Sequence, residues 1–331
     1  MIAAMESRGM SSTSRVLLTG ATGFVGRNLL SLAPAVRFRA AVRTLSPSRQ
    51  DAVEVVAVGN IDARTDWRPA LAGVDSVVHL AARVHVMNPT PDDRRRFDEV
   101  NIAGTRRLAA AAAQAGVKRF VFLSTVKVNG EISGARPFRA DDPPNPGDDY
   151  ARSKFEGERE LGRIGAEWGM QTVCIRSPLV YGPGVGANFL RLLAWAHRGV
   201  PLPLALIDNA RSLVSVWNLC DLIHTVLRHA GPIDRVLMVS DGHDVSTPVL
   251  IRMIAAALHR PTRLFPMPLS LLRTVSRLAG AAGQLTRLCS SLQVDIQDTR
   301  ERLNWSPPCT LETGLSHTAK WYLGTLGPPH V

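Results

Sequence analysis

Tyr150 and Lys154 stand four residues apart in Tyr150-Ala-Arg-Ser-Lys154. On a helix such residues share a face, which sets an ammonium beside a phenol. A lysine there acts as a compact point charge that lowers the phenol's pKa. A tyrosine, free pKa about 10, then serves as acid or base near neutral pH. The chain holds three tyrosines and four lysines, so random placement gives about 0.04 such pairs. The bland alternative is a solvated helix carrying an incidental pair. A second constellation is Gly20-Ala-Thr-Gly23-Phe-Val-Gly26, directly after the apolar run Arg15–Thr19 and before an apolar helical stretch. Glycines allow a tight reversal, close approach of backbone N–H groups to a pyrophosphate, and close helix packing, while the helix N-terminus adds partial positive charge. Strand, glycine turn and helix in that order point to a bound dinucleotide. An acid about twenty residues further on marks NAD, whereas arginine accommodates a 2′-phosphate. Here Ala41-Val42-Arg43 has no carboxylate until Asp51. NADP(H) is therefore expected in preference to NAD(H), with Arg43 at the phosphate.

Positioning these groups requires a sheet. Apolar runs recur at Phe38–Val42, Val53–Val58, Ser76–Leu80, Phe120–Leu123 and Thr172–Ile175, with helical patterns at Gly104–Ala115 and Ala151–Trp168. Alternation of this kind predicts an α/β fold: a doubly wound parallel sheet of Rossmann type with a smaller C-terminal substrate lobe. Residues 15–178 form the dinucleotide domain, 211–240 return to it, 179–210 and 241–331 form the lobe, and 1–14 form a frayed leader.

At 331 residues and 45% hydrophobic content the chain builds a full core. No apolar run approaches the ~20 residues of a membrane span. Leu269–Leu288, apolar with interspersed arginines, is read as a core-packing helix pair in preference to a membrane-surface element. Cys174, Cys220, Cys289 and Cys309 are too scattered for a disulfide framework or a metal site, which suits a cytoplasmic protein. The net charge of +11 comes from dispersed arginines, so an anionic small molecule is expected as partner, not nucleic acid.

Further motifs fall into line: His79-Leu80-Ala81-Ala82, Asn101-Ile-Ala-Gly104-Thr105, Ser124-Thr125, Arg211-Ser-Leu-Val-Ser-Val and Leu303-Asn304-Trp305. With the glycine turn and the Tyr150–Lys154 pair, they resemble the extended short-chain dehydrogenase/reductase family, in its nucleotide-sugar 4-epimerase and 4-ketoreductase branch. The resemblance runs from Arg15 to about Leu315. It implies Thr125, Tyr150 and Lys154 as catalytic residues, with Thr125 favoured over Ser124 for the hydroxyl that orients the reacting oxygen. It implies a cofactor site of Gly20, Gly23, Phe24, Val25, Gly26, Arg43, Asn60, Ile61, Leu80, Ala81, Ala82, Asn101 and Pro178, which Tyr150 and Lys154 also touch. Asn188 and Arg211 would bind the substrate, Arg211 on the diphosphate of a UDP-sugar. A homodimer through Gly104–Ala115 and Ala151–Trp168 is also implied. Where the family commonly continues Val-Tyr-Gly, this chain reads Val128-Asn129-Gly130, which removes an aromatic near the sugar. Arg43 and Asn129 favour reduction of a UDP-4-keto-6-deoxy-N-acetylhexosamine in surface-polysaccharide assembly. UDP-hexose 4-epimerase is the alternative, and a non-catalytic NADP sensor is the rival of another class.

Overall fold

The computed structural model describes residues 14–326 apart from 34, 46–52, 85–90, 234, 279 and 281, so the expected leader and Asp51 lie outside the described residues. The chain opens with β1 (Arg15–Thr19), α1 (Phe24–Leu32), β2 (Arg37–Val42) and β3 (Glu54–Ala57). Next come α2 (Arg68–Leu71), β4 (Ser76–His79), α3 (Pro91–Phe97), a π-helical turn at Asp98–Gly104 and α4 (Thr105–Gln114). Then follow β5 (Arg119–Thr125), a 3₁₀ turn at Val126–Val128, α5 (Asp149–Trp168), β6 (Gln171–Ser177), β7 (Leu179–Tyr181) and α6 (Ala187–Arg198). The remainder runs β8 (Leu213–Ser215), α7 (Val216–Arg228), β9 (Arg235–Met238), α8 (Thr247–Ala257), α9 (Leu269–Leu278), α10 (Ala282–Cys289), α11 (Gln297–Leu303) and α12 (Leu311–Thr325).

Seven strands form one sheet in the order β3-β2-β1-β4-β5-β6-β9, and every pairing in it is parallel. A parallel sheet is covered on both faces, so its strands read as unbroken apolar runs whose side chains alternate between two cores. Val16, Leu18, Val78 and Val121 join Leu29 of α1 and Leu222 and Ile223 of α7 on one face. Leu17, Val77, Phe120 and Phe122 join Leu108 of α4 and Leu161 and Ile164 of α5 on the other. The strand order reverses between β1 and β4, and in open α/β sheets the ligand crevice lies beyond the strand ends at such a point.

A separate apolar cluster holds Tyr181, Phe189 and Leu193 together with Ile251 and Ile254 of α8 and Leu311 and Leu315 of α12. It lies around the small parallel pair β7–β8. Between these lobe segments, α7 and β9 rejoin the main sheet, β9 as its edge strand beside β6. No helix among the described residues is long and apolar enough to cross a membrane.

Candidate active site

The turn after β1 is shaped by two glycines. Gly20 has φ +73°, and a Cβ there would come within 2.7 Å of the Ala81 nitrogen. A methyl on Gly26 would overlap the Gly20 carbonyl oxygen. Thr19 fixes the facing segment, because Leu80 N–H donates to its carbonyl (3.3 Å) and Ala81 N–H to its Oγ1 (3.2 Å). Gly23 heads α1 with no side-chain cap, so Phe24, Val25 and Gly26 present N–H groups that have no intrahelical acceptor. Small residues, uncapped donors and a helix N-terminus make a cradle that fits a pyrophosphate. Leu80, Ala81 and Ala82 run along its other wall, half-buried. Arg43 is exposed just beyond β2, and Asn60 is exposed beyond β3. Ile61 packs on Gly104, where an added Cβ would lie 2.7 Å from Ile61 Cγ2. Pro178 is buried between β6 and β7.

Tyr150 sits in the first turn of α5, whose N-cap Asp148 accepts from Ala151 N–H (2.7 Å). Thr125 ends β5, and its Oγ1 accepts from Lys127 N–H (3.3 Å), which leaves the hydroxyl proton to donate elsewhere. Alternation along β5 turns Ser124 the other way; its Oγ is buried and has no hydrogen-bond partner among the described residues. Lys127 joins the two elements, its Nζ donating to Asp148 Oδ2 (2.5 Å) and Glu131 Oε1 (2.7 Å). Behind Tyr150, Asn101 Nδ2 donates to Ser153 Oγ (2.9 Å) and to the Arg83 carbonyl (3.0 Å), and Ser153 Oγ donates to the Tyr150 carbonyl (2.8 Å). Asn101 thus ties the segment after β4 to α5.

Lys154 is 2% exposed, with Nζ over the Phe122 ring at 3.7 Å from its centroid. His79 stacks on that ring at 5.6 Å and is bound by Thr19 Oγ1 at 2.6 Å and Thr105 Oγ1 at 3.1 Å. Burial, and then the charge of Lys154, hold His79 down at about 3, so it is a neutral spacer between β1 and α4. Burial also lowers Lys154 to about 7 against the opposing pull of Glu158. Burial and then Asp148 push Tyr150 up to about 12. In this structure desolvation outweighs the phenol-lowering effect expected of the lysine, and Tyr150 stands as a neutral phenol.

Asn129, the departure from Val-Tyr-Gly, is buried: its Oδ1 accepts from Arg176 Nη1 (3.0 Å) and its Nδ2 donates to the Arg139 carbonyl (2.9 Å). Arg176 forms a buried ion pair with Glu158, one helical turn beyond Lys154 (2.6 Å). The position of the missing aromatic carries a polar network that composition and spacing did not disclose. Phe122, Lys127 and Glu158 were equally hidden, since each acts through a partner distant in sequence.

From the Gly130 turn the backbone leads to the lobe. Phe138 N–H donates to the Gln293 carbonyl (2.9 Å), Asp295 N–H to that of Phe138 (2.9 Å), and Ser212 N–H to that of Leu292 (2.9 Å). Arg211 therefore lies on a strand-like path stitched to the β5–α5 loop. Its Nη1 donates to the carbonyls of Arg287 (2.6 Å) and Ser290 (2.9 Å) at the end of α10, and burial lowers its pKa. The Nε–Nη2 edge takes no part in those bonds. Asn188 is exposed in the first turn of α6 and accepts from Arg191 (3.0 Å); the N-cap is Gly186, so Asn188 is no cap.

Comparison with known proteins shows the chain's family. The family model described as "NAD dependent epimerase/dehydratase family" matches residues 16–239. The chain is 44% identical over 319 residues to the UDP-glucose 4-epimerase of Vibrio cholerae, covering 93% of this chain and 95% of that one. It is 27% identical over 325 residues to an N-acetyl-alpha-D-glucosaminyl-diphospho-ditrans,octacis-undecaprenol 4-epimerase of Escherichia coli O157:H7, covering 92% and 94%. In fold it resembles the crystal structure of UDP-glucuronic acid 4-epimerase from Bacillus cereus in complex with NAD, with a TM-score of 0.76 at 19% identity over 94% of this chain and 99% of that one. This chain belongs to the NAD dependent epimerase/dehydratase family.

Proposed function

We propose that the protein interconverts UDP-hexoses by inversion at C4, using bound NAD. The observation that carries this reading is the 44% identity, nearly end to end, to a UDP-glucose 4-epimerase. It displaces the expected 4-ketoreductase, for which Arg43 and Asn129 were the grounds. Arg43 is exposed past β2, a position that does not by itself select a reductase, and Asn129 serves the Arg176–Glu158 network. The expected preference for NADP finds no support in a family described by NAD, so NAD is the cofactor we propose.

Gly20, Gly23, Gly26 and the first N–H groups of α1 would hold the pyrophosphate, with Leu80–Ala82 opposite. The dinucleotide, when bound, supplies a hydride acceptor and donor for C4. Tyr150, a neutral phenol in this structure, must ionise in the loaded site to take the C4 hydroxyl proton, and it returns that proton after the 4-keto sugar has turned its other face. Thr125 donates to the same oxygen and fixes its distance from Tyr150. Lys154, whose charge Glu158 supports against burial, favours the phenolate in its protonated form. Arg211 offers its Nε–Nη2 edge to the diphosphate.

The test is to mix the protein with UDP-glucose and follow formation of UDP-galactose by chromatography, with reduced-cofactor absorbance recorded in parallel. Interconversion without net change in reduced cofactor, and release of NAD on denaturation, is the expected result. Stoichiometric oxidation of NADPH by a UDP-4-keto sugar, with no interconversion, would restore the reductase. Direct measurement of both dissociation constants checks the cofactor: NADP binding tighter than NAD would reverse that part.

A further inference from the structure

Residues 245–294 contain no aspartate or glutamate but six arginines: Arg252, Arg260, Arg263, Arg273, Arg277 and Arg287. At the chain's average of 28 acids in 331 residues, about four acids are expected across fifty positions. All six arginines are exposed. The same stretch contains α9, where Leu271 (50% exposed), Val275 (50%) and Leu278 (85%) recur at the i, i+4, i+7 spacing of a single helical stripe. Leu272 and Ser276 turn inward, and Arg273 and Arg277 lie on the far side of that buried face. Exposed Phe265 and Leu269 precede the stripe.

The expected core-packing pair therefore accounts for only part of this segment. Inward packing uses Leu272 and Leu285 and gives no reason for a second apolar stripe in water. The arginines alone would suit any polyanion; the adjoining leucines and valine select a surface that is apolar just beneath its phosphates. α9 has ten residues, too short to span and suited to lying in the plane of an interface.

We propose that α9 docks the protein on anionic membrane surfaces, with Leu271, Val275 and Leu278 at the acyl boundary and Arg273 and Arg277 at lipid phosphates. Each basic residue near such a surface adds attraction that fades within a Debye length, so the binding is salt-sensitive. α10, which follows α9 in the chain, ends on Arg211 at the edge of the candidate substrate site. The proposal stands apart from the choice of sugar.

The test is co-sedimentation of the full chain with phosphatidylcholine vesicles that contain or lack phosphatidylglycerol. Two variants accompany it: Leu271→Ser/Val275→Ser/Leu278→Ser and Arg273→Gln/Arg277→Gln. The parent chain should sediment with phosphatidylglycerol vesicles, should be released by salt, and should stay in solution with phosphatidylcholine alone. Each variant should lower partitioning by about tenfold or more while its UDP-sugar turnover stays at the parent level. Failure of the parent to bind anionic vesicles would overturn the proposal, as would binding that neither variant weakens. So would sedimentation velocity showing that the Leu271→Ser set converts a larger oligomer into a smaller one, because the stripe would then belong to a second copy.

Discussion

Around Tyr150 the polar atoms are gripped by side chains from distant elements: Asn101 on Ser153, Lys127 on Asp148, Arg176 on both Glu158 and Asn129. At the lobe edge Arg211 instead leans on two main-chain carbonyls at the end of a helix pair whose outer face is apolar and exposed. The first region is fixed by interlocking networks. The second is also tied down, but largely onto main-chain carbonyls, with Asn209 Nδ2 donating to those of Leu288 and Ser290 and Thr247 Oγ1 to that of Leu288. Proton and hydride transfer require reacting atoms about 3–3.5 Å apart, so the proposed catalytic side cannot give. Capturing a flexible diphosphate asks only for charge and donors within reach. Substitutions in the two regions should therefore fail in different ways.

The largest effect belongs to the phenol. Tyr150→Phe keeps the ring against Phe97 (6.1 Å between centroids) but removes the proton donor. Turnover should fall by about 10²–10⁴-fold with NAD content unchanged. Full activity in that variant would remove Tyr150 from the chemistry. Stability separates the regions next. Glu158→Gln leaves Arg176 charged, buried and uncompensated, so urea unfolding should show a loss of about 3–5 kcal/mol. A loss under about 1 kcal/mol, the size of a surface pair, would mean that water reaches this network.

Lys154 gives the comparison a pH signature. Its folded pKa, about 7, lies below the ordinary 10.5 because burial opposes its charge. Between these values the unfolded chain binds the extra proton, so stability rises with pH across that window; below about 7 the penalty is complete. In cofactor-stripped protein, Lys154→Met should be more stable than the parent at pH 6, by roughly 3–5 kcal/mol at most, with the advantage shrinking toward pH 10. Thermal melts across that range check it. A constant difference would show that Lys154 titrates alike in both states.

Much of the sheet was legible because a strand covered on both faces has no choice but to be apolar throughout, as Val16–Leu18 and Phe120–Phe122 show. The glycine turn was legible in part for a local reason: an added Cβ on Gly26 meets atoms of Gly20 and Ala21, whereas the Gly20 constraint comes from Ala81 across the sheet. The supports of the site were not. Asn129 reads as a lost tyrosine until Arg176, 47 residues away, is seen to bond it. Tyr150 and Lys154 announce a pair, yet their pKa values follow burial, which spacing cannot supply. Leu269–Leu288 was read as core packing in preference to a surface element because a helical apolar pattern looks the same whether it faces inward or outward.

The smallest effect tests the lobe edge by itself. Arg211→Lys keeps the charge and a donor for the Arg287 carbonyl but loses the planar Nε–Nη2 edge that a diphosphate would grip. Because those contacts are the same for ground and transition states, KM for the UDP-sugar should rise about tenfold while kcat holds. Far smaller changes are expected in unfolding than for Glu158→Gln, since a lysine at Arg211 strands no buried opposite charge. A fall in kcat that matched the fall in kcat/KM would show that Arg211 acts in the transition state. The lobe edge would then belong with the rigid machinery around Tyr150, and the contrast between the two regions would collapse.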